Sequence, residues 1–242
     1  MTPKASRSVE AFWSFTAIKS GQSLILPDGR CDIILRYNIH RSDRPTPIIT
    51  GPATRAYTVA YDAGDSWIGM RLRPEQASVL WKKDTCNAAD VVLRQKDAIA
   101  YMPSLAQLTR ENLTQSSFAT AAHIAPDKCD TRLTQALDWL HLSGGRLKIA
   151  LLAHRIGITA RHLNRLFRAN IGLRTKTYAQ LVQFHRSIKL IQRDGLSISD
   201  AAFEGGYADH AHLTRAFRQN SGFQPSKMPP DLILPTLFQP VV

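Results

Sequence analysis

The sequence predicts an α+β protein of two domains, a β-rich N-terminal domain followed by an all-α C-terminal domain. Its 242 residues exceed the usual size of one domain, and 44% of them are hydrophobic. Up to Met102 the apolar residues stand in short runs separated by Gly, Pro and Asp, which is typical of strands. From Pro103 onward they recur at helical spacing instead.

The strands of the first domain are predicted in order along the chain. Residues 24–26 and 31–35 flank a Pro-Asp-Gly segment, which indicates a strand, a turn and a second strand. Pro74 opens a run of helix formers and predicts one short helix. Further strands are expected at 48–50, 57–61, 67–72 and 91–93. The result is a small barrel or sandwich.

The predicted division of the chain has four parts. The β-rich domain covers 1–103 and a helical linker covers 104–130, because Pro126 and neighbouring charges break the apolar stripe that begins there. A helical domain covers 131–228, and a tail covers 229–242. No stretch of the sequence has the apolar length of a membrane span or a signal peptide, so a cytoplasmic protein without a membrane partner is expected.

Positive charge is concentrated in the helical domain. The whole chain carries a formal net charge of +12, and residues 131–228 hold fifteen Lys and Arg against five Asp and Glu. Ten of the twelve net charges therefore lie in two-fifths of the chain. Such a distribution favours a polyanionic partner, although charge alone does not distinguish DNA from a membrane surface.

The helical domain contains an internal repeat with a spacing of about fifty residues. Eleven residues from His162 match eleven from His212 at seven positions, namely His, Leu, Arg, Phe, Arg, Asn and Gly. Matches at apolar positions are expected of any helical bundle. Matches at outward-facing arginines are harder to explain by packing, and they favour two copies of a functional unit.

Each copy meets the physical requirements of a helix-turn-helix. Ala153 and Ala202 supply the small residue where two helices cross closely, and Gly157 and Gly206 supply a turn residue that tolerates positive φ. The two N-caps and the two core sets are expected at equivalent places. The N-caps are Thr159 and Asp209, and the cores are Ile149, Leu152, Ile156, Ile158, Leu163 and Phe167 in the first copy and Ile198, Ala201, Tyr207, Leu213 and Phe217 in the second.

A long amphipathic helix is predicted between the two copies, ending near Asp194 and Gly195. Its apolar stripe is formed by Tyr178, Leu181, Val182, Ile188 and Ile191. His185 falls on the same stripe, which predicts a buried histidine with a hydrogen-bond partner. The helix would fix the distance between the two units.

Residues from about 131 to 228 resemble the DNA-binding domain of the AraC/XylS family of bacterial transcription regulators. The family's closing signature is similar to residues 201–228, AAFEGGYADHAHLTRAFRQNSGFQPSKM. Thr175 departs from the pattern, because members often carry Pro there, as the second copy does at Pro225. Residues 26–35 and 49–52 resemble the cupin-like sensor segments that precede this domain in some members.

The resemblance implies double-stranded operator or promoter DNA as the partner, with two recognition helices at about 159–170 and 209–220. The resemblance is also compatible with a small-molecule effector, a contact with RNA polymerase and a homodimer. Outward side chains of the recognition helices would meet base edges or phosphates. The candidate DNA-binding residues are Arg161, Asn164, Arg165 and Arg168 in the first helix and His210, His212, Thr214, Arg215 and Arg218 in the second.

Other functions fit the sequence less well. A cupin-type metalloenzyme needs several histidines, whereas His40 is the one histidine of residues 1–110. Cys31, Cys86 and Cys129 lack the spacing of a zinc site or of a DNA-repair alkyl acceptor, so no catalytic residue, cofactor or metal is predicted. An architectural DNA binder without effector sensing is the alternative, against which Asn164 and Thr214 argue as uncharged residues at base-contacting positions.

Overall fold

A computed structural model of the chain describes residues 8–124 and 129–229. In the first of these segments, two antiparallel sheets are formed by seven strands. The strands are β1 (Val9–Thr16), β2 (Gly21–Ile25), β3 (Asp32–Asn38), β4 (Thr46–Thr50), β5 (Tyr57–Tyr61), β6 (Asp65–Leu72) and β7 (Val92–Arg94). The larger sheet has the order β1-β6-β3-β4-β7, and β2 pairs with β5 in the smaller one.

The larger sheet has an apolar face and a polar face. In β3, Ile33 and Leu35 are fully buried on the apolar face, while Asp32 and Arg36 alternate onto the other. Strand β6 follows the same alternation, because Ile33 pairs with Met70 and Asp32 pairs with Arg71. One face of the sheet therefore packs into a core, and the opposite face carries buried charges.

Three short helices cover the apolar face. They are α1 (Ala77–Trp81), α2 (Lys96–Tyr101) and α3 (Gln115–Ala122), with 3-10 turns at Pro74–Gln76, Lys82–Asn87 and Pro103–Gln107. Trp81 and Phe118 pack in the same core cluster as Ile33 and Leu35. The segment predicted as a linker, 104–130, thus places Leu105, Leu108 and Phe118 in the N-terminal core.

The C-terminal region is helical, as predicted. Its elements are α4 (Thr131–Leu142), α5 (Ile149–Arg155), α6 (Ala160–Ile171), α7 (Thr175–Gln192), α8 (Ile198–Glu204) and α9 (His210–Ser221), followed by a 3-10 turn at Pro225–Lys227. One core cluster joins α4, α5, α6 and the first half of α7. A second cluster joins the last half of α7 to α8 and α9.

The two regions pack closely against each other. Leu26, from the segment between β2 and β3, lies in the second helical cluster with Phe184 and Phe217. The Nη1 atom of Arg30 donates to the hydroxyl of Tyr178 in α7 at 2.7 Å. The Pro27 carbonyl accepts a 2.7 Å hydrogen bond from His185 Nε2, also in α7. The Pro-Asp-Gly segment is therefore part of the interface between the two regions.

Most of the predicted elements are present, although helix α2 was not predicted and the strands differ in two respects. Strand β1 was not predicted, although it pairs with β6 along most of its length. Strands β2 and β3 flank the predicted turn but belong to different sheets, because the segment between them crosses from one sheet to the other. None of the helices in the described ranges is long and apolar enough to cross a membrane.

Gly29 offers a test of the packing between the regions. Its φ is +67°, and a Cβ there would lie 3.3 Å from side-chain atoms of Leu173, Tyr178 and Leu181. Gly195 has the same φ, but a Cβ at that position would meet no atom within 4 Å. Gly195→Ala should lower the free energy of unfolding by about 1 kcal/mol, from backbone strain alone. Gly29→Ala should cost about 1 kcal/mol more than that, because α7 must also shift.

Urea unfolding of the two variants beside the unchanged protein measures both costs. Gly195→Ala is the matched control, since it repeats the backbone strain without the contact. Equal losses in the two variants would contradict the tight contact between Gly29 and α7.

Candidate nucleic-acid interface

Helices α5 and α6 form the first helix-turn-helix unit, and α8 and α9 form the second. The predicted small residues, Ala153 and Ala202, are buried where the helices of each unit cross. The turns contain Gly157 at φ +73° and Gly206 at φ +75°, so both positions need the left-handed conformation that the sequence predicted. The two copies of the repeat therefore fold into the same local structure.

The second helix of each unit begins and ends in the same way. The Thr159 hydroxyl accepts from the His162 amide at 3.2 Å, and the Asp209 carboxylate accepts from the His212 amide at 2.6 Å. Both predicted N-caps are thus confirmed. Each helix has twelve residues and ends at a glycine with positive φ, Gly172 or Gly222. The caps fix the helix starts, and hence the direction in which each side chain points.

The apolar face of each second helix is fully buried. Leu163, Phe167, Leu213 and Phe217 have no exposed surface. A step of two residues turns a helical side chain by about 200°, so Arg165 and Arg215 point away from the core. Seven of the predicted DNA-binding residues are exposed accordingly: Arg161, Arg165, Arg168, His210, His212, Arg215 and Arg218.

The remaining two candidates lie at the border of the core. Asn164 and Thr214 occupy equivalent positions and are half-buried. The Asn164 Oδ1 atom accepts from the Thr175 amide at 3.3 Å and so ties α6 to the start of α7. The Thr214 hydroxyl is buried and has no hydrogen-bond partner among the described residues.

The exposed arginines of α6 and α9 have no acidic partner among the residues that the structure describes. Within the described segments, none of Arg161, Arg165, Arg168, Arg215 and Arg218 takes part in an ion pair. Their charges are therefore available to an anionic partner. A guanidinium can bind phosphate oxygens, or can form two parallel hydrogen bonds to the edge of guanine.

Helix α7 holds the two units at a fixed separation. Its eighteen residues span about 27 Å at the usual rise per residue. Asn164 links its start to the first unit, and the side-chain amide of Gln183 donates to the Gly205 carbonyl at 2.8 Å in the turn of the second. The predicted role of this helix as a spacer agrees with these contacts.

The sequence did not reveal that the N-terminal region holds both recognition helices at their C-terminal ends. The Ala56 amide donates to the Asn220 carbonyl in α9 at 3.0 Å. The Cys86 thiol donates to the Arg168 carbonyl in α6 at 3.4 Å. Arg161 in the first turn of α6, and Arg165 and Arg215 in the second turns of α6 and α9, stay exposed beside these contacts.

The positions of the potential metal ligands and of the two histidines of α9 are relevant to the metal-dependent alternatives. In the described part of the chain, no three His, Cys, Asp or Glu residues are arranged to hold a metal ion. His212 contacts the ring of Tyr207 at 5.2 Å between centroids, and its Nδ1 accepts from the Ala208 amide at 3.4 Å. His210 and His212 are thus placed as surface residues of α9.

Two parts of the chain are similar to known protein families. Residues 152–228 match a family described as a helix-turn-helix domain, and residues 2–93 match a domain of unknown function, DUF6597. The regulator YfiF of Bacillus subtilis, described as an uncharacterized HTH-type transcriptional regulator, is 33% identical over 79 residues, or 33% of this chain and 25% of the relative. The activator RhaS of Escherichia fergusonii is 24% identical over 132 residues, covering 54% and 44%.

The chain spans 25% of the length of YfiF and 44% of the length of RhaS. Among solved structures, ToxT from Vibrio cholerae aligns over 92% of this chain and 97% of its own, with a TM-score of 0.47 and 12% identity. An AraC-type regulator from Chromobacterium violaceum aligns over 40% and 88%, with a TM-score of 0.38 and 22% identity. Structural similarity at this level carries no conclusion about function.

His185 makes the stability of the spacer helix depend on pH. Burial lowers the pKa of this histidine to about 4, against about 6.5 in an unfolded chain. The unfolded state therefore binds the proton first, and stability is lost as the pH falls below 6.5. Between pH 7.0 and pH 5.5 this one residue should cost about 1 kcal/mol of unfolding free energy.

His185→Gln keeps an amide donor for the Pro27 carbonyl and removes the titrating group. The loss of stability between pH 7.0 and pH 5.5, measured by urea unfolding, should be smaller in this variant by about 1 kcal/mol. His154→Gln, at an exposed histidine of α5, is the control and should leave the loss unchanged. An identical pH dependence in His185→Gln and the unchanged protein would show that His185 is not held neutral.

Proposed function

We propose that this chain, which carries the helix-turn-helix DNA-binding domain of AraC-type transcription regulators, acts as a sequence-specific DNA-binding regulator and not as an enzyme. The observation that carries the proposal is the pair of equivalent helices, α6 and α9, whose outward faces present unpaired arginines. The named relatives are transcriptional regulators, in agreement with the resemblance stated for residues 131–228.

Arg165 and Arg215 are the residues that we assign to direct base contact. They occupy the same position on the two helices, one residue after the half-buried Asn164 and Thr214. An α-helix fits the major groove of B-DNA, where a guanidinium can bind O6 and N7 of a guanine together. Arg161, His210 and His212 lie nearer the helix N-termini and would contact neighbouring bases.

Arg168 and Arg218 lie one turn further along their helices, where the DNA backbone would pass. We assign them to phosphate contacts, which position a protein without selecting sequence. Asn164 and Thr214 stay in the proposed interface, with less exposed surface than the arginines.

One copy of the chain would contact two successive major-groove segments on one face of DNA. Such segments are about 34 Å apart, and the spacer helix α7 with the two units at its ends has a comparable reach. The two recognition helices differ at outward positions of their first turns, where α6 has Ala160 and Arg161 and α9 has His210 and Ala211. The binding site should therefore be asymmetric.

The N-terminal region would serve as a cupin-like sensor or dimerisation domain. Its two antiparallel sheets are compatible with a cupin-like barrel, and His40 is the one histidine of residues 1–110. The proposed division stays at 1–103, 104–130, 131–228 and 229–242, with α3 packed on the first domain. We also propose that the chain binds a small-molecule effector, contacts RNA polymerase, forms a homodimer and acts in the cytoplasm.

Substitution of the four paired arginines tests the proposal. Arg165→Ala or Arg215→Ala should cost about 1–3 kcal/mol on the specific site and relax base preference at its own half of the site. Arg168→Ala or Arg218→Ala should weaken binding to all DNA alike. The slope of log affinity against log salt concentration should fall by about one, because one fewer ion is released on binding.

Binding of the full chain and each variant to specific and scrambled duplexes, at several salt concentrations, supplies the measurement. Arg73→Ala, an exposed arginine of the N-terminal region, is the control and should change neither quantity. If Arg165→Ala and Arg215→Ala weaken specific and scrambled DNA equally, these residues bind phosphate, and the chain is an architectural DNA binder.

A further inference from the structure

The two helix-turn-helix units carry formal net charges of opposite sign. The first unit, residues 149–171, contains four arginines and no acidic residue. The second unit, residues 198–221, contains two arginines against the three acidic residues Asp200, Glu204 and Asp209. The net charges are therefore +4 and −1. Because a protein binds DNA through cations that neutralise phosphates, the second unit needs positive charge from outside its own two helices.

The difference in charge lies near the N-terminal ends of the recognition helices. Arg161 in the first turn of α6 corresponds to Ala211 in α9. Arg155, two residues before the turn glycine of the first unit, corresponds to Glu204 in the second. The N-terminal residues of a recognition helix are the ones that approach base edges. At this end, the second unit therefore lacks two cations that the first unit has.

Arg146, in the turn between α4 and α5, contacts the second unit from outside. A Cβ at Gly206 would lie 2.6 Å from Cδ and 2.7 Å from Cγ of Arg146. Gly206 precedes Asp209, the N-cap of α9, by three residues, which span at most about 11 Å. The Arg146 side chain therefore lies close to the N-terminal end of α9. At Gly157, the corresponding glycine of the first unit, a Cβ would meet no atom within 4 Å.

The turn that carries Arg146 is packed directly on the spacer helix α7. A Cβ at Gly145 would lie 2.2 Å from the Ala179 carbonyl oxygen, so the two backbones are in contact. One turn further along α7, the Gln183 side-chain amide donates to the Gly205 carbonyl at 2.8 Å. The same part of α7 therefore holds the turn of Arg146 and the turn before α9, which keeps the arginine beside the second unit.

The guanidinium of Arg146 can bind an anion. The residue is exposed, and it forms no ion pair within the part of the chain that the structure describes. Its Nε donates to the Ser143 carbonyl at 3.0 Å, which orients the group. The two terminal nitrogens carry four further N–H donors. Parallel hydrogen bonds from these nitrogens are the usual way in which arginine binds a phosphate.

We propose that Arg146 binds a phosphate of the DNA backbone at the half of the site that α9 contacts. It supplies the second unit with a cation where Ala211 and Glu204 leave none. The contact comes from outside both helix-turn-helix units, so the repeat itself does not reveal it. This assignment rests on the proposed function and adds one positioning residue to it. A phosphate contact fixes the position of the protein on DNA without selecting a sequence.

Substitutions that separate the charge of Arg146 from its packing test the proposal. Arg146→Met keeps an unbranched side chain against Gly206 and removes the charge, whereas Arg146→Lys keeps the charge. The probe is the duplex that the full chain selects from a random pool. Arg146→Met should bind it about tenfold more weakly, and the slope of log affinity against log salt concentration should fall by about one. Arg146→Lys should lose about threefold or less, with an unchanged slope. Arg73→Met, at an exposed arginine of the N-terminal region, is the control and should change neither quantity.

Two shortened duplexes, each with one half of the selected site, locate the contact. Arg146→Met should weaken binding to the half on which Arg215→Ala acts, and should leave binding to the half on which Arg165→Ala acts unchanged. An equal effect on both halves would overturn the assignment to the second unit. Equal losses in Arg146→Met and Arg146→Lys would show that the charge is not the cause, and would also overturn the proposal.

The same measurements distinguish a failure of this assignment from a failure of the proposed function. If Arg146→Met and the unchanged protein bind the full site equally and with the same salt slope, the role of Arg146 alone is overturned. If the unchanged protein selects no sequence from the random pool, the proposed function is overturned, and the role of Arg146 with it.

Discussion

The fold depends on one buried charge, the guanidinium of Arg30. Its Nε lies 2.9 Å from a carboxylate oxygen of Glu10 in β1, and its Nη1 donates to the Tyr178 hydroxyl in α7. The same hydroxyl contacts His141 Nε2 in α4 at 3.1 Å. A buried guanidinium is tolerated only where its donors are satisfied, so the strand, the spacer helix and α4 must be assembled together.

Because the donors of Arg30 are satisfied by both regions, the two regions must fold together as one unit. The segment that carries Arg30 also supplies Leu26 to the core of the second helix-turn-helix unit and the Pro27 carbonyl to His185. The N-terminal region thereby contacts α7 on one side and the C-terminal ends of α6 and α9 on another. Arg161, Arg165, Arg168, Arg215 and Arg218 stay exposed in this arrangement.

The sequence predicted what is determined locally and missed what is determined by distant contacts. The caps Thr159 and Asp209, the turn glycines and the apolar faces of α6 and α9 follow from spacings of a few residues, and all are confirmed. The pairing of β1 with β6 and the separation of β2 from β3 depend on partners far away along the chain. The hydrogen bond from the Thr175 amide to Asn164 was missed for the same reason, because it depends on the position of α7 relative to the first unit.

We propose that one chain uses two recognition helices at a fixed separation, and the DNA that the full chain selects from a random pool measures this directly. We expect the selected DNA to be asymmetric, with two unlike half-elements centred about 10 base pairs apart on one face of the duplex. Inserting about five base pairs, half a helical turn, between them should abolish the advantage over scrambled DNA, because the second element moves to the opposite face. A single short element, or full binding after the insertion, would show that the two helices do not bind DNA together at a fixed separation.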